Sequence, residues 1–206
     1  MKITKLLVPV VLTFILAANA VFADVKTETI LKDIVLPAPV KTGGMPLMDA
    51  LSARKTDRTF SKEELPLEVV SNLLWAANGI NRPDGKRTAP SARNLQEIKI
   101  FVVLPEGLYA YLPQENALKA ISQEDYRPIL GKYPLTLLYV ADLSMQSKHF
   151  ASVDCGFIGQ NVYLFSAANG LNAWFRADIN QTVLSAKMRL GLSQEVLFAQ
   201  TVGYPR

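Results

Sequence analysis

Two short stretches of the 206-residue chain concentrate side chains that can grip a ligand. Residues 87–96 read Arg87, Thr88, Ala89, Pro90, Ser91, Ala92, Arg93, Asn94, Leu95, Gln96. This is a proline-fixed turn with small residues, two guanidiniums and two amides, a set better suited to wrapping something flat and polar-edged than to filling a core. A bound cofactor is expected there. Residues 54–60 read Arg54, Lys55, Thr56, Asp57, Arg58, Thr59, Phe60, placing three cations and two hydroxyls within six positions. One account is a solvated turn whose cations answer the negative end of a preceding helix. The other is a phosphate clamp, in which an arginine fork, a second cation and a hydroxyl satisfy the acceptor oxygens of one monoester.

Side-chain chemistry is otherwise sparse. His149 is the sole histidine and Cys155 the sole cysteine, which leaves little support for a zinc site or a serine–histidine–acid triad and excludes an intrachain disulfide. Cys155 falls in an apolar helical segment and reads as a small core residue with a raised thiol pKa. There is no Walker loop and no dinucleotide glycine fingerprint. No side chain is therefore assigned as catalytic, and an enzymatic site would borrow its reactivity from the bound group.

The elements that position these stretches follow from periodicity. Pro46 opens a short helix ending near Arg54, with Leu47, Met48 and Leu51 spaced to face inward. Pro66 opens a second, carrying Val69, Val70, Leu73, Leu74 and Ala77 and stopped by Gly79; Trp75 sits one position off its stripe. Residues 98–103 and 108–112 read as a hairpin around Pro105 and Gly107. Residues 118–130 are expected to be mostly helical with a break at Pro128, and 135–141 form a fully apolar strand. A long helix over 150–169 is apolar nearly all round, which suggests burial between layers or in a subunit interface. A strand over 171–176, a helix over 179–190 capped by Asp178, and a strand over 196–202 complete the chain. Interspersed helices and strands with a hairpin indicate an α+β or mixed α/β class, not a regular parallel sheet.

At the N-terminus, Lys2 and Lys5 precede an apolar run from Leu6 to Leu16 and then small residues up to Ala23, the pattern of a secretory signal cleaved after Ala23 or Ala20. Residues 1–23 are thus expected to be a signal peptide, 24–44 an extended arm and 45–206 one domain. The product would be exported, periplasmic or extracellular, without stable membrane insertion after cleavage. Loss of Lys2 and Lys5 takes the formal charge from +4 to +2, too small to imply nucleic acid as a partner.

Taken together and in order, these segments resemble the FMN-dependent nitroreductase superfamily, near its exported and azoline-oxidase-like members. The resemblance spans residues 47–206. It implies a central, mainly antiparallel sheet flanked by helices, expected as an intertwined homodimer with FMN at the interface. It assigns Arg54, Lys55, Thr56, Arg58, Gly203 and Arg206 to the FMN phosphate and ribityl chain, and Pro90, Ser91, Ala92 and Asn94 to the isoalloxazine ring. Gln160, with Asp154, Gly156 and Asn161, belongs to the interface helix, and Arg176 and Ala177 to the segment near flavin N5. The implied activity is two-electron transfer to a small acceptor such as a nitroaromatic or quinone, with NAD(P)H as a possible donor. Alternatives are an exported flavin-dependent dehydrogenase or oxidase of a small molecule or peptide, and a flavin-binding module without enzymatic activity.

Overall fold

The computed structural model describes residues 30–206. The expected signal peptide and the first residues of the arm lie outside the described residues. Seven strands form one sheet: β1 (Ile34–Val35), β2 (Ile98–Leu104), β3 (Gly107–Leu112), β4 (Ala117–Ser122), β5 (Leu135–Asp142), β6 (Asn172–Arg176) and β7 (Gln194–Gly203). Their order is β1-β4-β3-β2-β5-β7-β6, and every neighbouring pair is antiparallel. The helices are α1 (Leu47–Ala53), α2 (Leu67–Asn78), α3 (Arg127–Leu130), α4 (Lys148–Ala168) and α5 (Gln181–Lys187). The expected α+β class with a central antiparallel sheet is what the chain adopts.

Strand alternation divides the apolar residues between two layers. Leu135, Leu137 and Tyr139 of β5 meet α2 and α4 on one face, while Leu138 and Val140 meet α3 and α5 on the other. Burial on both faces is why β5 reads as an unbroken apolar run. A polar tie runs through the first layer, where the Tyr139 hydroxyl donates to Gln200 Oε1 at 2.6 Å and Gln200 Nε2 donates to the Gly159 carbonyl at 3.1 Å. Gly159 is needed for packing, because a Cβ there would lie 2.5 Å from the Phe175 ring. Gly79, which follows α2, is also glycine for packing: its φ is −75°, but a Cβ would meet Trp75 Cδ1 at 2.4 Å.

Three expectations are corrected. Residues 118–130 are not mostly helical: 117–122 form β4, and only Arg127–Leu130 is helical. Leu118 packs into the core while Lys119 points to water, so pairing with β3 and β1 overrides the helix-favouring Ala, Leu and Lys composition. Leu47, Met48 and Leu51 do not face the chain's own core; they are 62, 73 and 42% exposed, and only Ala50 of α1 is buried. The last helix is shorter than expected, and Asn180, not Asp178, caps it by accepting the Val183 N–H.

The visible part of the arm lies on its own chain. Leu36 N donates to Asn116 O at 3.1 Å, Val40 N donates to Asn72 Oδ1 at 2.7 Å, and Lys41 Nζ stands 5.9 Å from the Trp75 ring centroid. Asn116, with φ +47°, is the rivet: its Nδ2 donates to Pro37 O at 2.8 Å and to Ser71 Oγ at 3.1 Å. Asn116→Ala is expected to lower stability by about 1–3 kcal/mol and to open residues 30–44 to proteases, because carbonyls lose their donor and alanine resists a left-handed backbone. Urea unfolding and limited proteolysis measure this; an unchanged midpoint and cleavage rate would show that the arm is held elsewhere.

Candidate functional site

Both chemistry-bearing stretches are mounted on α4. Arg54 caps α1, its N–H bonded to Ala50 O, and its guanidinium lies 5.6 Å from the centroid of the α4 residue Tyr163. Tyr163 OH accepts the Phe175 N–H at 2.9 Å and stands 2.9 Å from Thr56 Oγ1. The chain then runs along the sheet edge, with Asp57 N donating to Ala173 O at 3.0 Å. The Thr59 hydroxyl and N–H, with Lys55 at 3.1 Å, hold the Asp57 carboxyl down at about 2. Asp57 thus fixes the turn as a permanent anion, and Lys55 is exposed beside it.

Arg58 lies 5.4 Å from the Trp174 ring centroid and Arg176 lies 4.5 Å from the same ring. Among the described residues, Arg54, Arg58 and Arg206 have no carboxylate partner. Beside the chain at Arg54 and Arg206, Lys55, Tyr163, Ser166, Asn172 and Pro205 border a cavity of about 200 Å³, and the buried Ser166 hydroxyl there has no hydrogen-bond partner. Gly203, buried at the end of β7, leaves only 3.2 Å from a would-be Cβ to Pro134.

The second stretch hangs from the other half of α4. Ala92 N donates to Asp154 Oδ2 at 2.9 Å. Asp154 and Tyr163 are nine residues apart in sequence, roughly 13 Å along a helix axis. Ala92–Asn94 forms a single 3-10 turn in which Arg93 and Asn94 take φ +55° and +54°, followed by Gln96 at +52°. Three left-handed residues without a glycine make a strained loop, so its shape must be imposed by its bonds. Ser91 Oγ accepts the Gln96 N–H at 3.0 Å, and Gln96 Nε2 donates to Asn94 Oδ1 at 3.1 Å and to Gly85 O at 3.2 Å. Arg87 is a structural tie, donating to Gln96 Oε1 and to Asn78 O. Asn94 is exposed with its oxygen engaged, which turns its amide donors to the surface; Pro90 is also exposed, and Ser91 and Ala92 are half-buried.

The remaining sequence candidates are dispersed. Gln160 is exposed on α4 beside Val153, Gly156 and Phe157, whereas Asp154 is on the buried side of that helix. The Arg176 side chain is buried against Trp174 and donates to Leu130 O at 2.8 Å; Asp178 is 3.3 Å from its Nε, ion-pair distance without hydrogen-bond geometry. Ala177 is exposed. Cys155 is fully buried, and burial pushes its thiol far up, which removes it as a nucleophile. Sequence reasoning missed Tyr163, which organises the Arg54 turn. It also missed that Trp174 carries two guanidiniums; aromatic residues near basic motifs were the only available signal.

With this geometry in place, the comparisons are specific. The Nitroreductase family model matches residues 51–204, and the chain belongs to that family. A Ralstonia eutropha protein, solved under the name of nitroreductase, is 38% identical with a TM-score of 0.82, over 86% of this chain and 91% of that one. A Methanocaldococcus jannaschii protein, also named as a nitroreductase, is 25% identical over 61% of this chain and 75% of its own length. A chain of the Escherichia coli microcin synthetase McbBCD complex shares the fold at 19% identity, with a TM-score of 0.64, over 94% of this chain and 85% of that one. The protein is accordingly a nitroreductase-family oxidoreductase.

The residues present fit a flavin mononucleotide. Arg54, Arg58 and Arg206, without carboxylate partners among the described residues, would answer its phosphate, and the exposed Asn94 amide would answer a flat polar edge.

Proposed function

We propose that this protein is an FMN-dependent oxidoreductase of the nitroreductase type, exported from the cytoplasm and working as a homodimer. The observation that carries the reading is the pairing, on one helix, of a turn whose two arginines lack carboxylate partners among the described residues with an amide-bearing strained loop. FMN supplies two-electron transfer at N5, to a small acceptor such as a nitroaromatic or quinone. Arg54, Lys55, Thr56, Arg58 and Arg206 bind the phosphate end, with Gly203 providing close backbone approach. Pro90, Ser91, Ala92 and Asn94 would hold the ring, and the segment at Arg176 and Ala177 would contribute to its reactive end. No protein nucleophile is required, in keeping with the buried Cys155.

A second copy of the chain is the natural cover for the exposed apolar residues of α1 and α4. Leu47, Met48, Leu51, Phe150, Val153 and Phe157 are each at least 42% exposed, and Gln160 lies on the same face of α4 as Val153 and Phe157. The leader at residues 1–23 supports export. It also favours a donor other than the cytoplasmic NAD(P)H pool, and therefore a dehydrogenase or oxidase role toward a small molecule or peptide.

Purified mature protein incubated with FMN and desalted is expected to retain a flavin absorbance spectrum and to run at the mass of two chains. Absence of bound flavin refutes the cofactor assignment, and a single-chain mass refutes the dimer. Rapid reduction by NADH in stopped flow would favour the nitroreductase activity itself; slow reduction by NADH but fast reduction by another donor would favour the second role.

A further inference from the structure

Glu97 is buried to 1% exposure just before β2, yet neither of its carboxyl oxygens has a hydrogen-bond partner. Beside it stands the carboxyl of Asp154, itself 2% exposed, the group that accepts the Ala92 N–H. Both groups are acceptors when ionised, so they bond to one another only if one holds a proton. Two carboxylates buried side by side do not both ionise without a counter-cation.

The other titratable groups nearby offer none. Arg87 borders the same small cavity as Asp154, but among the described residues it forms no ion pair with either carboxyl, and its guanidinium is directed to Gln96 Oε1 and Asn78 O. Tyr111, near Arg87, is kept neutral by burial, which pushes it up to about 12, and burial likewise keeps the Cys155 thiol neutral. Asp142, whose N–H donates to Glu97 O, turns its carboxylate to Ser144. Burial and then Asp154 both act to raise the Glu97 pKa above its ordinary 4.5.

We infer that Glu97 is a positioning residue for the ligand-holding loop: its neutral carboxyl donates to Asp154 and keeps Asp154 on the Ala92 N–H, so that residues 91–96 hold their left-handed shape. The role in binding rests on the flavin reading above. Loss of the proton sets two anions against each other beneath a strained loop, and the Ala92 bond is the one that yields. The sign follows from linkage. The folded chain holds this proton more tightly than an unfolded glutamate does, so the stabilisation is complete below the ordinary glutamate pKa and disappears as pH rises through the raised value. Flavin affinity falls in the same direction.

Glu97→Gln keeps a donor to Asp154 without a titration. Asp154→Asn keeps an acceptor for Ala92 N–H and offers Glu97 a donor in either state. FMN dissociation constants from flavin fluorescence, and thermal midpoints without FMN, are to be measured for the wild type and both variants from pH 5 to 9. Titration of the FMN phosphate is common to all three proteins and cancels in their ratios. The wild-type dissociation constant is expected to rise at least fivefold relative to each variant across this range, with a parallel relative fall in thermal midpoint. Ratios constant within twofold overturn the inference, and so does a thermal difference without an affinity difference. If Glu97→Gln does not fold, Asp154→Asn carries the comparison alone. Wild-type protein that takes up no FMN at any pH is a separate failure: it overturns the cofactor reading, whereas the relative thermal profiles still support or overturn the lock on the loop.

Discussion

Arg54→Ala with Arg58→Ala is expected to weaken FMN binding by at least ~100-fold while leaving the chain folded. Charge-assisted hydrogen bonds to a phosphate contribute ~1.5–3 kcal/mol each, so two lost forks remove about 3–6 kcal/mol. Neither arginine has a carboxylate partner that would be stranded by its removal. What each gives the fold is a contact with an aromatic ring, Tyr163 or Trp174, of about 0.5–1 kcal/mol. Fluorescence titration with FMN, repeated at low and high salt, measures the first effect, and thermal unfolding of the apoprotein the second. The double variant should also lose part of the salt dependence of wild-type binding, the remainder belonging to Lys55 and Arg206. Affinity within threefold of wild type would identify these residues as a solvated turn at the end of α1.

Gln200→Leu is expected to be the most damaging of the conservative-volume changes to stability. Gln200 is fully buried and joins β5, β7 and α4 through the Tyr139 hydroxyl and the Gly159 carbonyl. Leucine would strand the buried Tyr139 hydroxyl and take from the Gly159 carbonyl the bond it accepts beyond the helix ladder, a loss of about 1–3 kcal/mol. For a chain of this size that corresponds to roughly 2–12 °C in Tm. Tyr139→Phe in the Gln200→Leu background should recover part of the loss, because the stranded hydroxyl is gone, whereas Tyr139→Phe alone is destabilising. Additive effects in this double-mutant cycle would show that the two side chains are not coupled.

The site was legible in the sequence where residue type alone constrains chemistry. The cations of 54–58 left a solvated turn and a phosphate clamp both open, and the turn and amides of 87–96 suggested a held ligand, because residue type limits the chemistry of a stretch without fixing its role. Family resemblance named the ligand class and the sheet architecture, and the Nitroreductase family model confirms the resemblance over residues 51–204. Periodicity found α2, α4, β5 and the β2–β3 hairpin, since each has one face or both facing an apolar layer. It failed at 117–122, where a helix-favouring composition was overruled by pairing with its two sheet neighbours, the preceding strand β3 and the sequence-distant β1.

What the sequence by itself determined was therefore the inventory: which residues share a face, and which stretches carry the cations and amides from which a ligand site could be built. Only the tertiary structure decided what each face meets. It turned Leu47, Met48 and Leu51 outward, made Arg87 a tie within the loop, and buried the Arg176 side chain against Trp174 and Leu130 O. It also set Glu97 against Asp154 under Ala92, an arrangement with no periodic trace. The physical reason is range: helix and strand periods encode contacts within a turn or a pleat, while burial, pKa and loop shape depend on groups brought together across the chain.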